Sequence, residues 1–194
     1  SPANRAYADR IAARATAAAG DIAGAQAQLL RLVARHPRDA AAWTDLGRLR
    51  LTADDVGGAA DAAAVAVRLT PGEPSALTLQ GEVVRTRFGL TAALPWFERA
   101  LATDAYYPPA LVEGAATLGD LGRATDALAL TRRLLAARPG DPRARYLQAV
   151  LAARAGQDDL ARRLLATTGS ALADLPGAQL LDGALAYRRV QYQQ

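Results

Sequence analysis

Apolar residues along this chain fall at helical spacing, in paired runs separated by short polar turns, with no alternating Val/Ile/Thr run of the kind that marks strands. Each pair turns at Gly or Asp: Gly20-Asp21, Asp54-Asp55, Gly89, Gly122 and Gly156. Runs of about a dozen residues joined by about two to five predict antiparallel helix hairpins. Proline marks the breaks between hairpins, because it lacks an N–H and biases the preceding residue away from helical dihedrals. Pro37 and Pro71 stand 34 residues apart, and Pro139 lies 68 residues beyond Pro71. The intermediate position is Ala105, in a stretch whose prolines, Pro108 and Pro109, come three and four places later.

A period of 34 divides the chain into five frames beginning at Ala6, Ala40, Pro74, Pro108 and Pro142. The third slot is Ala8, Ala42, Ala76, Ala110 and Ala144, and the twentieth is Ala25, Ala59, Ala93, Ala127 and Ala161. With Ala at about a quarter of the chain, one all-Ala column arises by chance roughly once in a thousand. The eighth slot is always small: Ala13, Gly47, Gly81, Ala115 and Ala149. Slots eight and twenty are expected where the two helices of a hairpin approach most closely. Larger side chains fill the remaining core slots, Trp43, Leu46, Leu51, Val65 and Leu69 in frame two, Leu77, Val84, Leu94 and Phe97 in frame three. A single hairpin cannot bury both its faces, so neighbours stack into a continuous core. Asp21, Thr91, Thr125 and Asp158 or Asp159 are expected to cap the second helices.

These residues resemble tetratricopeptide repeats. Frame two carries the pattern nearly whole, in Trp43, Leu46-Gly47, Ala59, Ala66 and Pro71, and frame three keeps Leu77, Gly81, Ala93, Phe97 and Ala100. Frame four keeps Leu111, Ala127 and Pro139 but has Gly114 in a large apolar slot, frame one keeps Ala13, Gly20, Ala25 and Pro37, and frame five puts Arg145 and Gln148 in usually apolar slots. The resemblance implies an all-α fold, an α-solenoid built as a right-handed superhelix of helix hairpins. The expected organisation is an N-terminal extension over 1–5, a single repeat domain over 6–175 (repeats 6–39, 40–73, 74–107, 108–141 and 142–175) and a C-terminal capping helix over 176–194. Leu180, Leu181, Leu185 and Tyr187 are expected to cover the open end of repeat five, with Arg188, Arg189 and the glutamines facing water; the start of a further domain is the other reading of that segment.

Composition removes several kinds of chemistry. The 194-residue chain is 51% hydrophobic with a net charge of +4, so it is long and apolar enough for a real core. It has no Cys, which excludes disulfides and thiolate metal sites. All 23 basic residues are Arg, which with the abundant Ala suggests a GC-rich bacterial source. Ser1 is not a natural start, so either a leader was removed or the chain is a piece of a longer one, and the lack of Met and Cys leans toward an exported bacterial fragment. No apolar run reaches the length of a membrane span. His36, the one histidine, precedes Pro37 and suits a helix C-terminus. Asp54-Asp55 and Asp158-Asp159 fall at turns and read as caps before acid–base pairs, and Gly57-Gly58 lacks the strand and further glycines of a phosphate loop. No catalytic constellation, cofactor or metal site is expected.

Recognition is the chemistry that remains. In proteins similar to this one the first helix of each hairpin lines a concave groove, through slots two, five, nine, twelve and thirteen. Here these are Tyr7, Arg10 and Arg14; Thr44, Arg48 and Thr52; Ser75, Thr78, Glu82, Arg85 and Thr86; Pro109, Val112, Ala116 and Asp120; and Arg143, Tyr146, Val150 and Arg154. An arginine track with hydroxyls in the N-terminal half gives way to an apolar stretch around Val112, Tyr146 and Val150. Arg suits carboxylates through its planar fork, which suggests an acidic or C-terminal peptide as partner, although an ordinary solvated face accounts for the same charges. The family's carboxylate clamp uses Lys and Asn at slots five and nine, which this sequence lacks. Tyr106 and Tyr107 are expected to pack between hairpins. The resulting expectation is a non-catalytic scaffold that binds a protein segment and mediates assembly of a complex. The alternative is a recruiting arm of a larger enzyme of sulfotransferase, glycosyltransferase or oxygenase type. Nucleic acid is disfavoured by the small charge excess and the 5% aromatic content, and self-association of terminal repeats is a further option.

Overall fold

The computed structural model describes residues 2–173 and 175–191. These form eleven α-helices and one short 3-10 helix, with no strand among the described residues. The first helices are α1 (Pro2–Ala18), α3 (Ala40–Thr52), α5 (Pro74–Phe88), α7 (Pro108–Asp120) and α9 (Pro142–Arg154); the second helices are α2 (Ile22–Arg35), α4 (Val56–Leu69), α6 (Leu90–Thr103), α8 (Ala124–Ala137) and α10 (Asp158–Ala166). From α3 on, first helices begin 34 residues apart, and second helices do so from the start. Proline opens α5, α7 and α9, where its missing N–H would be unpaired in any helix. Residues 2–5 belong to the first turn of α1 and are no separate extension.

The turn inside each hairpin needs a left-handed residue. Gly20, Gly122 and Gly156 supply it at φ of +91°, +77° and +72°, while repeat two uses Asp54 at +60°. In repeat three α5 runs one residue further, so Gly89 at +92° ends α5 and starts α6. Asp21 and Asp55 cap α2 and α4 by accepting from the N–H of Gly24 and Gly58, each at 2.8 Å. Gly57-Gly58 therefore serves this cap: a Cβ on Gly58 would lie 2.2 Å from the Asp55 carboxylate. The expected caps Thr91, Thr125 and Asp158 or Asp159 lie one step too late, inside their helices; Gly89, Arg123 and Gln157 take the N-cap positions and make no side-chain cap bond. Asp158 and Asp159 instead sit in the first turn of α10, where negative charge favours the helix, and pair with Arg188 at 3.2 Å and with Arg162.

The chain divides into two compact units, residues 1–110 and 111–194. In the first, Ala13, Ala25, Leu29, Leu32, Ala42 and Leu46 form one buried cluster, joined by Trp43 from its edge. Gly47 and Gly81 are small of necessity: a Cβ would come 2.6 Å from Leu79 and 2.5 Å from the Phe97 ring. The five slot-twenty alanines are all 0% exposed, as hairpin contacts require. Tyr107 packs with Leu77, Ala100 and Ala110, whereas Tyr106 is exposed.

The second unit breaks the pattern at α10, which has 9 residues where every other second helix has 14. Thr167 and Thr168 turn their hydroxyls back onto the carbonyls of Leu164 and Leu165 at 2.6 and 2.7 Å, and Gly169 follows at φ +55°. A 3-10 turn, Gly169–Leu172, then leads to α11 (Pro176–Gln191). Helix α11 does pack on the end of repeat five, through fully buried Leu185 and through Leu181. The expected cover from Leu180 and Tyr187 is not made; they are 77% and 65% exposed, on the opposite side of the helix. Arg188 pairs with Asp158 and does not simply face water; Gln193 and Gln194 lie outside the described residues. Among the described residues no helix is long and apolar enough to cross a membrane.

Candidate functional site

First helices of successive repeats lie side by side in the N-terminal unit, α1 against α3 and α3 against α5. Slots five and nine of α1 place Arg10 and Arg14 one helical turn apart, and both point to Asp45 of α3. Arg10 Nε donates to Asp45 Oδ2 at 2.9 Å; Arg14 donates from Nη2 to Oδ1 at 2.6 Å and from Nε to Oδ2 at 3.1 Å. The carboxylate is 7% exposed, so these charge-assisted bonds act where water screens them little. They raise the pKa of the Arg14 guanidinium, the hydrogen bonds to Asp45 being the main cause. The arginine track is thus partly neutralised from within. Asp45 was absent from the sequence-based set, and its signal was an acid in slot six, where Ile11, Leu79 and Leu147 stand in other frames.

Arg48 differs from its neighbours. One turn beyond Asp45, it lines a cleft of about 310 Å³ with Ala13, Arg14, Ala17, Leu49 and Thr52. Its Nη2 is buried and has no hydrogen-bond partner. Tyr7 stands exposed and borders a second cleft with Arg10, His36 and Arg38. His36 is the C-cap residue of α2, its N–H bonded to the carbonyl of Leu32. Glu82 and Arg85 are half-buried on α5.

Thr44 and Thr78 are corrections to the expected face. Both are buried, and their hydroxyls bond the carbonyls four residues earlier in their own helices, Thr44 to Ala40 at 2.9 Å and Thr78 to Pro74 at 2.7 Å. Slot five offers an open side chain only when the residue is long enough to reach past the neighbouring helix, as Arg10 is.

In the C-terminal unit Val112, Arg143 and Tyr146 share a cleft of about 540 Å³ whose other wall is the chain itself, through Ala171, Leu172 and Leu175. The Tyr146 hydroxyl comes so close to Gly177 that a Cβ there would lie 2.5 Å away. Burial raises the Tyr146 pKa, Arg154 lowers it and Asp120 raises it. Arg154 bonds the carbonyl of Gly119 and the carboxylate of Asp120, both at 2.7 Å. The role of the 169–175 connector was not legible beforehand, because it depends on where α10 breaks. Among the described residues no group of three or more His, Cys, Asp or Glu is placed to hold a metal.

Tandem helix hairpins with small residues wedged between their rods define the class: this is an all-α helical-repeat protein of the α-solenoid type. The tetratricopeptide repeat family profile matches residues 12–74 and 114–168, more than half of the chain, and the chain belongs to that family. Tetratricopeptide repeats are protein-interaction modules. No curated protein matches the chain in sequence. Among solved structures it is similar to PilW, a type IV pilus biogenesis factor (TM-score 0.79, 20% identity, 97% of this chain and 87% of that one covered). It is also similar to a thermophilic tetratricopeptide repeat protein of Thermus thermophilus (0.77, 22%, 95% and 99%). A third is YrrB, described as having an unusual peptide-binding site (0.59, 19%, 88% and 88%). At these identities the likeness is one of fold.

Proposed function

We propose that this chain is a non-catalytic scaffold that holds a protein or peptide segment along its first helices, and that its N-terminal unit anchors a carboxylate of that segment at Arg48. The observation that carries the reading is the buried, unpartnered Nη2 of Arg48 at the edge of an open cleft. A buried guanidinium N–H without an acceptor is costly, and a ligand carboxylate relieves that cost while the matching charge is supplied in a site partly shielded from water. Asp45 does not fill this role, because its two oxygens already accept from Arg10 and Arg14. Leu49 and Ala17 give the cleft an apolar floor, which suits a short aliphatic side chain next to the carboxylate. YrrB, which shares the fold, carries a peptide-binding site, in keeping with a peptide ligand here.

The test uses a fluorescein-labelled peptide ending in two acidic residues, its C-terminal amide, and a form with both acids changed to their amides. Binding read by anisotropy should be strongest for the free acid. Arg48→Gln should weaken it by about tenfold, the size expected for one charge-assisted contact. Because Arg48→Gln leaves the Asp45 cluster intact, the melting temperature should not fall. Equal binding of all three peptides, or no effect of the substitution, refutes the anchor.

A further inference from the structure

The repeats of this chain act as controls for one another, and one face fails the comparison. In α3 the side that meets the preceding second helix is buried: Ala42, Leu46 and Leu49, in slots three, seven and ten, pack in one cluster with Leu29, Leu32 and Val33 of α2. In α5 the matching residues Ala76 and Val83 are buried, Val83 with Ala59 and Ala63 of α4 in its cluster. In α9 Ala144 and Leu151 are buried, and Gln148 in slot seven bonds Thr131 of α8 at 3.1 Å. The same slots of α1 are Ala8, Ala12 and Ala15, and all three are exposed. Beside them Ile11 is 45% and Tyr7 63% exposed. These five uncharged residues share one side of α1, opposite Ala6 and Ala13, which bury into the hairpin.

We propose that this side of α1 is a docking face for one amphipathic helix of a partner protein, laid across it as α2 lies across α3. The kind of element is read from the molecule's own interfaces: among the described residues each like face in α3, α5 and α9 is covered by a helix, α2, α4 or α8. The chemistry of the partner helix follows from the volumes. Where α3 offers Leu46 and Leu49, α1 offers only Ala12 and Ala15, so the arriving helix must supply larger knobs than Leu29, Leu32 and Val33. A stripe with Phe or Leu at i, i+3 and i+4, and no charge within it, satisfies this face. The face is separate from the Arg48 cleft and uses different residues.

The probe is a labelled peptide with the sequence of residues 21–36, which is α2 with its cap, together with a second form carrying Leu29→Phe and Val33→Phe. On the intact protein the Phe form should bind saturably, about tenfold tighter than the parent sequence because it buries more apolar area. Ile11→Asp should abolish both, and Arg48→Gln should change neither. Ile11→Ser, with a helical content and melting point equal to those of the parent, guards against simple unfolding. Binding that survives Ile11→Asp would place the peptide elsewhere, for instance in exchange for α2 itself, and would overturn the proposal. Absence of binding by both peptides would do the same. Sedimentation that finds a dimer abolished by Ile11→Asp would give the face to a second copy and also overturn it.

Discussion

The two units use the same repeat but finish their first-helix faces differently. In residues 1–110 the hairpins are regular, and the face is organised by a carboxylate: Asp45 gathers Arg10 and Arg14 and leaves Arg48 unpaired beside an open cleft. In residues 111–194 the last second helix stops after 9 residues, and the chain that follows forms one wall of the cleft holding Val112 and Tyr146. The difference teaches that the period fixes the scaffold without fixing the face. Slots three, eight and twenty are set by backbone approach and repeat faithfully; slots five, six and nine are free to hold an acid, an arginine or an aromatic ring.

The scaffold half of that comparison breaks most sharply at slot eight. Gly81 has three atoms of the Phe97 ring within 2.9 Å of where a Cβ would stand, and Phe97 is buried and cannot swing away. Gly81→Ala should therefore destabilise by about 2–3 kcal/mol, as overpacked cores do. The same slot in α11 is Gly183, which has nothing within 4 Å of a Cβ. Gly183→Ala should stabilise, by about 0.5–1 kcal/mol, through helix propensity alone. Urea melts of the two variants against the parent check both. Equal signs would mean that slot eight is not set by close approach.

The face half is tested by its ion pairs. Both units join neighbouring first helices by an Arg–Asp bridge, but Asp45 is nearly buried and Asp120 is half-exposed. Asp45→Ala strands the Arg10 guanidinium, itself largely covered, and should cost about 2 kcal/mol. Asp120→Ala removes a screened pair and should cost less than about 1 kcal/mol. Raising salt to about 1 M, where the Debye length is about 3 Å, should narrow the second loss and leave most of the first. If the two variants melt alike, burial does not separate the two bridges.

How much of this was legible follows the same division. The 34-residue spacing of Ala25, Ala59 and Ala93 located every hairpin, because backbone contact tolerates nothing larger at those positions. Asp21 was readable as a cap, since one residue and its turn settle the matter. Thr91 and Thr125 misled, because a hydroxyl near a helix start caps only from one position, and the turns at Gly89 and Arg123 place it one step late. Thr44 and Thr78 were assigned to the open face from slot number alone, which ignores how short a threonine is against the next helix. Asp45 was passed over because its partners are 31 and 35 residues away. The early end of α10 depends on two threonines and a glycine competing with helix, and Tyr187 and Leu180 point away from repeat five as a consequence of which side of α11 carries Leu181 and Leu185.

The smallest expected effect concerns the C-terminal cleft, and its sign can be worked out. Tyr146 has its pKa raised chiefly by burial, with Arg154 lowering it and Asp120 raising it. An ordinary phenol ionises near pH 10, so above that pH the unfolded chain loses this proton before the folded one does. Unfolding is then favoured as pH rises: the contribution of Tyr146 is complete below about pH 10 and is lost as pH climbs through the raised folded value. Between pH 9 and 11 the parent should lose slightly more stability than Tyr146→Phe, by a few tenths of a kcal/mol, discounted for a ring that is only half-buried. Asp120→Asn should shrink the difference by removing one of the raising charges, and Arg154→Gln should widen it. A Tyr146→Phe variant that loses as much stability as the parent over that range would mean that the ring is as open to water as in the unfolded chain, and that the 169–175 connector does not shelter it.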